Sequence, residues 1–113
     1  MPGMTSKRKG KIGEIAAAKE LERLFGCEAR RGQQFAGGTD SPDVTHSIHG
    51  VHVEVKRTEK LRLYQAVEQA TNEGNGKIPL LLHKANRKEW LAIVPLDDLP
   101  ALATVLYLTL ADQ

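Results

Sequence analysis

The sequence predicts an α/β fold, a single domain with a central mixed five-stranded β-sheet flanked by α-helices. Segments with helical and strand-like patterns follow one another in the order helix, three strands, helix, two strands, short helix, which favours a sheet covered by helices. The chain has 113 residues, of which 41% are hydrophobic and 27% charged. This length is enough for one hydrophobic core but not for two.

The first helix is predicted over residues 11–25, which are rich in Ala, Leu and Glu and end at Gly26. Its apolar arc consists of Ala17, Ala18, Leu21, Leu24 and Phe25. Glu14 falls in the middle of this arc, where a carboxylate is costly unless a metal or a basic residue pairs with it. Residues 1–10 are expected to form a flexible basic arm, and residues 11–113 the domain.

Three strands are predicted next, and the second and third of them form a hairpin. Residues 27–31 form a short strand, and residues 31–39 a glycine-rich loop. Three valines alternate with three polar residues over 51–56, so His52, Glu54 and Lys56 share one face. A two-residue turn at His49-Gly50 would then pair the strand before it with this one, and would place Asp43 opposite Lys56.

The second half of the chain begins with a helix of about fifteen residues, capped by Thr58 and ending near Gly74. Its apolar stripe is Leu63, Ala66, Val67 and Ala70. Residues 78–83 read as a central strand, residues 84–88 as a turn and residues 90–94 as the partner strand. A short helix follows over residues 95–103, and the apolar residues 104–110 are expected to pack on the core or on a second subunit.

Asp43 and Glu54 suggest a metal site. In the hairpin register they lie roughly 5 to 8 Å apart and converge on one cation, with Lys56 beside it. Carboxylate oxygens suit Mg²⁺, for which Mn²⁺ could substitute. Such an ion polarises a phosphoryl group and activates a water molecule, while a lysine ammonium steadies developing charge, so the pattern indicates phosphodiester hydrolysis. Asp40 is a rival to Asp43, and a solvated pair on a hairpin surface is the simpler alternative.

Basic residues indicate where DNA would lie. The net charge is only +2, but the first 31 residues carry eight basic side chains against four acidic ones. The candidate DNA contacts are Lys7, Arg8, Lys9, Lys11, Arg30, Arg31, Thr39, Ser41, Arg57, Lys60 and Arg62. A single cysteine, Cys27, excludes an intrachain disulfide, and no signal or membrane-spanning pattern is present, so we expect a cytoplasmic location.

Several short motifs together resemble the PD-(D/E)xK, restriction-endonuclease-like superfamily. They are the KRKGKxGE helix start with Glu14, Pro42-Asp43, and Glu54-Val55-Lys56 followed directly by a helix. Within the superfamily, the chain looks most like the archaeal-type Holliday junction resolvases and their phage relatives. The resemblance implies a Mg²⁺-dependent enzyme with no nucleotide cofactor, a homodimer that nicks four-way junctions symmetrically in the cytoplasm of a prokaryotic, archaeal or phage-infected cell.

The resemblance also implies residue roles. Glu14, Asp43 and Glu54 would be the acidic metal-site residues, the Val55 carbonyl a further ligand, and Lys56 the catalytic lysine. Either Thr39 or Ser41 would be the functional hydroxyl. The resemblance to the second helix of the family makes Tyr64 and Gln69 secondary candidates.

Three alternatives remain open at this point. The same chemistry could act on another DNA substrate, of nicking, repair or restriction type. The chain could bind DNA without cutting it, with purely structural carboxylates. It could also be an interaction domain that uses its apolar tail and no nucleic acid.

Overall fold

The computed structural model describes residues 6–32 and 43–113, and for residues 6 and 7 the backbone only. The elements in chain order are α1 (Ser6–Phe25), β1 (Ala29–Arg31), β2 (Val44–His46), β3 (Val51–Arg57), α2 (Leu63–Gly74), β4 (Ile78–Lys84), β5 (Leu91–Ile93), a 3-10 helix (Leu96–Asp98) and α3 (Leu99–Ala111). The predicted α/β class is therefore confirmed. None of the helices in these ranges combines the length and apolar character needed to cross a membrane.

The described strands form two sheets rather than one. β1 and β2 pair in an antiparallel ladder, while β3, β4 and β5 form a mixed sheet in which β3–β4 is parallel and β4–β5 antiparallel. The predicted five-stranded central sheet is therefore wrong. The predicted hairpin between residues 84 and 88 is confirmed, because it joins β4 to β5.

The predicted hairpin between β2 and β3 is also wrong, and hydrogen bonds around Ser47 explain why. The Ser47 N–H donates to the Glu28 carbonyl at 3.0 Å, and the Glu28 N–H donates to the Ser47 Oγ at 3.0 Å. The Ile48 N–H donates to His46 Nδ1 at 3.1 Å. The Ile48 N–H, which the predicted turn would pair with Val51, is therefore already used by the His46 side chain. The ladder that β2 does form is with β1.

The strand β3 is covered on both faces, as is usual for a strand in a parallel pair. Its valines contribute to the core with α1, β2, β4 and α3: the buried members are Ala17, Ala18, Leu21, Cys27, Val44, Ile48, Val51, Val53, Val55, Leu80, Leu82 and Leu102. On the opposite face, His52 and Glu54 lie under α2 and are also buried. The polar face that the sequence predicts to be wet is therefore enclosed.

Several predicted boundaries are wrong by a turn or more. The first helix begins at Ser6 rather than residue 11, and α2 begins at Leu63 with Arg62, not Thr58, at its N-cap position. The carbonyl of Thr58 lies 2.9 Å from His83 Nε2, so this residue belongs to the chain leaving β3. Residues 104–110 are not a separate tail, because α3 continues through them.

Two expected core positions are exposed. Leu24 of α1 and Leu63 of α2 are both exposed, whereas the remaining members of the two apolar stripes are buried or half-buried. Both outliers lie towards an end of a stripe.

Gly13 allows α1 to approach β3 closely. A Cβ atom added at Gly13 would lie 2.7 Å from the Cβ atom of Arg57, which is closer than two carbon atoms approach without one of them moving. The contact is made near the backbone of Arg57, so a side-chain rotation does not relieve it. The absence of a side chain at Gly13 therefore fixes the distance between α1 and β3 at the position next to Glu14.

We expect Gly13→Ala to lower the free energy of unfolding by about 1 to 3 kcal/mol, the usual cost of overpacking. Gly10→Ala is the matched control on the same helix, because nothing lies within 4 Å of a Cβ atom added there. Alanine is the better helix former, so this control should gain up to about 1 kcal/mol. Urea titrations followed by circular dichroism measure both, and an equal gain for the two variants would contradict the close approach.

Candidate active site

Three acidic residues from three parts of the chain meet beside β3. Glu14 comes from α1, Asp43 from the residue before β2, and Glu54 from the middle of β3. Asp43 lies close to both of the others, since its charge and a side-chain hydrogen bond raise the pKa of Glu14 and of Glu54. Its Oδ2 accepts a hydrogen bond of 2.8 Å from the Val55 N–H. The structure thus brings the three carboxylates together without the predicted hairpin.

Glu14 has a basic partner in Arg31. The Arg31 Nε atom lies 2.9 Å from Glu14 Oε1. Burial, and then the charge of Asp43, raise the pKa of Glu14, while Arg31 acts in the opposite direction. Arg31, a predicted DNA contact, thus compensates the carboxylate that faces the sheet and keeps 33% of its side chain exposed.

Glu54 is almost completely enclosed, with 3% of its surface exposed. Its Oε1 lies 3.4 Å from His52 Nε2, and its Oε2 lies 3.9 Å from Lys56 Nζ. Burial is the main cause that raises the pKa of Glu54 to about 7; the hydrogen bond with His52 opposes this, and Asp43 and Glu73 add to it. A buried carboxyl group with acidic neighbours is therefore the centre of the site.

Lys56 is held by α2. Its Nζ donates to Gln69 Oε1 at 3.0 Å, and Gln69 Nε2 donates to Glu73 Oε1 at 3.0 Å. Gln69 therefore helps to fix the position of the ammonium group beside Glu54. Tyr64, the other secondary candidate on α2, is 88% exposed and takes no part in these contacts.

The donor set of Asp43 and Glu54 fits a divalent cation. Both offer carboxylate oxygens, the ligands that Mg²⁺ prefers. Their mutual repulsion contributes to the raised pKa of Glu54, and a bound cation would relieve it. The Val55 group seen in contact with Asp43 is its N–H, whereas the resemblance implies its carbonyl as a ligand.

The predicted DNA contacts have different surroundings. Lys9 pairs with Glu59 at 3.4 Å, and Arg57 donates to the Lys84 carbonyl at 3.2 Å and to Asn86 Oδ1 at 2.8 Å. The other predicted basic contacts have exposed side chains: Arg8, Lys11, Arg30, Lys60 and Arg62. Arg8 also interacts with another group of the protein. The side chain of Lys7, and the residues Thr39, Asp40 and Ser41, lie outside the described part of the chain.

A surface cavity of about 550 Å³ adjoins Lys56. It is lined by Lys56, Thr58, Lys60, Leu61, Arg62, Gln65, Ala66 and Gln69. Three of these side chains are basic, and Lys56 is the one that also reaches Glu54. The cavity therefore joins a positively charged surface to the carboxylates.

Glu73 is a site residue that the sequence analysis missed. Within residues 6–32 and 43–113, His52, Glu54 and Glu73 form one group of possible metal ligands. Each offers one ligand atom, and these three atoms all lie within 4.8 Å of one another. Burial tends to raise the pKa of Glu73, but hydrogen bonds with Gln69 and Glu54 and the charges of His52 and Lys56 lower it overall. Its spacing of four residues from Gln69 was the available signal, since such residues share a helix face.

Comparisons with known proteins give one structural match of limited extent. The structure of Hjc, a Holliday junction resolvase from the archaeal hyperthermophile Archaeoglobus fulgidus, is similar over 76% of this chain and 72% of that one, at 22% identity and a TM-score of 0.49. At this level of similarity the match assigns neither a family nor an activity to the chain. No protein-family model and no curated protein matches the sequence.

Without a divalent cation, the free energy of unfolding should fall as the pH rises from about 4.5 to about 7. A raised pKa means that the folded chain holds the Glu54 proton through this range while the unfolded chain releases it. The resulting stability is complete below the ordinary pKa of 4.5 and is lost as the pH passes the folded value. We expect a loss of about 3 kcal/mol.

Urea titrations in EDTA at constant ionic strength measure this loss. Glu54→Gln is the control, because it keeps the shape of the side chain but cannot titrate. Its stability should depend less on pH over the same interval. An identical slope in the parent protein and in Glu54→Gln would show that Glu54 is not the group responsible.

Proposed function

We propose that the chain is a divalent-cation-dependent DNA endonuclease that cuts branched DNA, with the four-way junction as its substrate. The observation that carries the proposal is the cluster around β3, where Asp43 interacts with both Glu14 and Glu54 and Lys56 lies 3.9 Å from Glu54. Two adjacent carboxylates and an ammonium group are the combination that metal-assisted hydrolysis of a phosphodiester needs.

Asp43 and Glu54 would hold Mg²⁺ or, as its substitute, Mn²⁺, with Glu14 and the Val55 carbonyl as further members of the site. When bound, the ion would polarise the scissile phosphate and lower the pKa of an attacking water molecule. Asp43 is fixed in place by the Val55 N–H, and Glu54 by its enclosure under α2. Rigid ligands of this kind reduce the reorganisation needed at the moment of reaction.

Lys56 would act on the substrate. Its side chain is 30% exposed, so its ammonium group is accessible from the cavity that contains Lys60 and Arg62. Placed there, it would offset the charge that develops on the phosphate or orient the water. Gln69 holds the ammonium group in position through the 3.0 Å hydrogen bond.

The surface cavity would receive the DNA backbone. Lys60 and Arg62 are both exposed at its edge and supply the positive charge that phosphates require. Their contacts would be independent of sequence, since phosphates carry no base information. This is consistent with an enzyme that selects the shape of a branched substrate.

A homodimer would give the enzyme two active sites for paired nicks. The candidate dimer interface is formed by α3 and the 3-10 helix before it. The large apolar side chains exposed there are Leu96, Leu99, Tyr107, Leu108 and Leu110. Such side chains seldom gather on the surface of a monomer. A second copy of the chain would cover them.

Isosteric variants test the catalytic proposal. Asp43→Asn and Glu54→Gln should each lower the rate of junction cleavage at least about a thousandfold, because each removes a negative ligand of the cation, while junction binding is retained. Glu68→Gln, an exposed acid on α2, is the matched control and should cleave normally. A labelled immobile four-way junction and its linear arms, each with Mg²⁺ or with EDTA, provide the assay.

The alternatives give different results in the same assay. If the linear arms are cut as readily as the junction, the proposed nuclease activity stands, but the four-way junction is not its specific substrate. Salt-sensitive binding with no Mg²⁺-dependent product would indicate a DNA-binding module without catalysis. Full cleavage by Asp43→Asn would contradict the assigned site.

The dimer has its own test. Leu108→Lys should raise the dimer dissociation constant about tenfold or more, because it puts a charge into an apolar contact. Ile12→Lys on α1 is the control, since Ile12 is 45% exposed compared with 54% for Leu108. Sedimentation velocity over a concentration series measures both, and an unchanged equilibrium for Leu108→Lys would exclude α3 as the interface.

A further inference from the structure

The face of β3 that lies under α2 contains a second group of possible metal ligands, which does not include Asp43. His52 Nε2, a Glu54 oxygen and a Glu73 oxygen all lie within 4.8 Å of one another. His52 and Glu54 are buried, and Glu73 is exposed at the end of α2. A small cation could therefore reach the group from the Glu73 side.

The hydrogen bond between His52 and Glu54 is long, and its length is compatible with an ion shared by the two side chains. Their closest atoms are 3.4 Å apart, whereas a charge-assisted hydrogen bond to nitrogen is about 2.7 to 2.9 Å long. Two atoms that bind one tetrahedral ion at about 2.1 Å lie about 3.4 Å apart. The spacing of this pair is thus compatible with one tetrahedral ion.

The surrounding residues restrict the three side chains. A Cβ atom added at Gly74 would lie 3.2 Å from the Cβ atom of His52 and 3.5 Å from its Cγ, so the backbone of α2 packs directly on this side chain. Gln69 donates to Glu73 Oε1 at 3.0 Å. The ring and one carboxylate are therefore held before any ion binds, which lowers the entropy lost on binding.

We propose that His52, Glu54 and Glu73 form a cation site for a divalent transition ion such as Zn²⁺ or Co²⁺. An imidazole nitrogen suits these ions, whereas Mg²⁺ and Ca²⁺ prefer oxygen ligands only. The two carboxylates match the charge of a divalent ion. Glu54 is shared with the proposed catalytic site, because its Oε1 faces His52 and its Oε2 faces Lys56.

Titration of the full chain with Co²⁺ tests the site directly, because visible absorption and paramagnetic shifts report on the ligands of this ion. We expect one bound ion that shifts the ring protons of His52 much further than those of His46, His49 and His83, because only a ligand receives unpaired spin density through a bond to the ion. Glu73→Gln and His52→Gln should each weaken Co²⁺ binding about tenfold or more.

Two control variants show whether Co²⁺ binds at this group or at another acid of the chain. Glu68→Gln, also exposed on α2, should bind Co²⁺ as the parent protein does. Asp43→Asn should keep the Co²⁺ site, since Asp43 is not one of its ligands. Because Glu73 is on the surface, its variant is expected to fold even where His52→Gln does not.

The proposal is overturned by any of three results. They are Co²⁺ binding that survives Glu73→Gln unchanged, binding lost in Asp43→Asn alone, and a larger shift at another histidine than at His52. No DNA enters the experiment, so its outcome does not depend on the nuclease assignment. A chain that binds Co²⁺ here and cleaves nothing would keep this site and reject the proposed function.

Discussion

A carboxyl group enclosed on β3 is the constraint on which the rest of this structure depends. Removing a carboxylate from water costs several kcal/mol unless nearby groups compensate it. For Glu54 the strand itself supplies His52 and Lys56, because residues two apart on a strand share a face. Asp43 and Glu73 add negative charge instead of removing it. The cluster therefore retains uncompensated negative charge, which a bound metal ion would neutralise.

The two helices bring their acids to β3 by the same device. Each has a glycine at a close approach to the strand, Gly13 against Arg57 and Gly74 against His52. Each glycine is adjacent in sequence to an acid of the cluster, Glu14 in α1 and Glu73 in α2. Close backbone contact thus fixes the positions from which these acids approach β3. A helix held further away by a methyl group would also displace its carboxylate.

Local patterns predicted the parts of this structure that depend on neighbouring residues. The period of two along β3 placed Glu54 and Lys56 on one face, and the apolar arc of α1 located Ala17, Ala18 and Leu21 in the core. Strand pairing could not be predicted in this way, because the hydrogen bonds of Ser47 with Glu28 join residues distant in sequence. Asp43 reaches the site through one bond to Val55 rather than through a ladder. Glu73 was missed because its four-residue spacing from Gln69 is its one local signal, and an exposed acid at such a spacing is common on helices.

The sharing of Glu54 couples the two proposed cation positions. Each of its oxygens faces a different side, Oε1 towards His52 and Oε2 towards Lys56. An ion on either side would use part of the same negative charge, and two ions held at once would repel each other at short range. Binding at one position would therefore weaken binding at the other, and by linkage the effect would be reciprocal. A transition ion at His52 and Glu73 would then oppose the Mg²⁺ that Asp43 and Glu54 are proposed to hold, so the balance of the two ions would set the fraction of chains competent for cleavage.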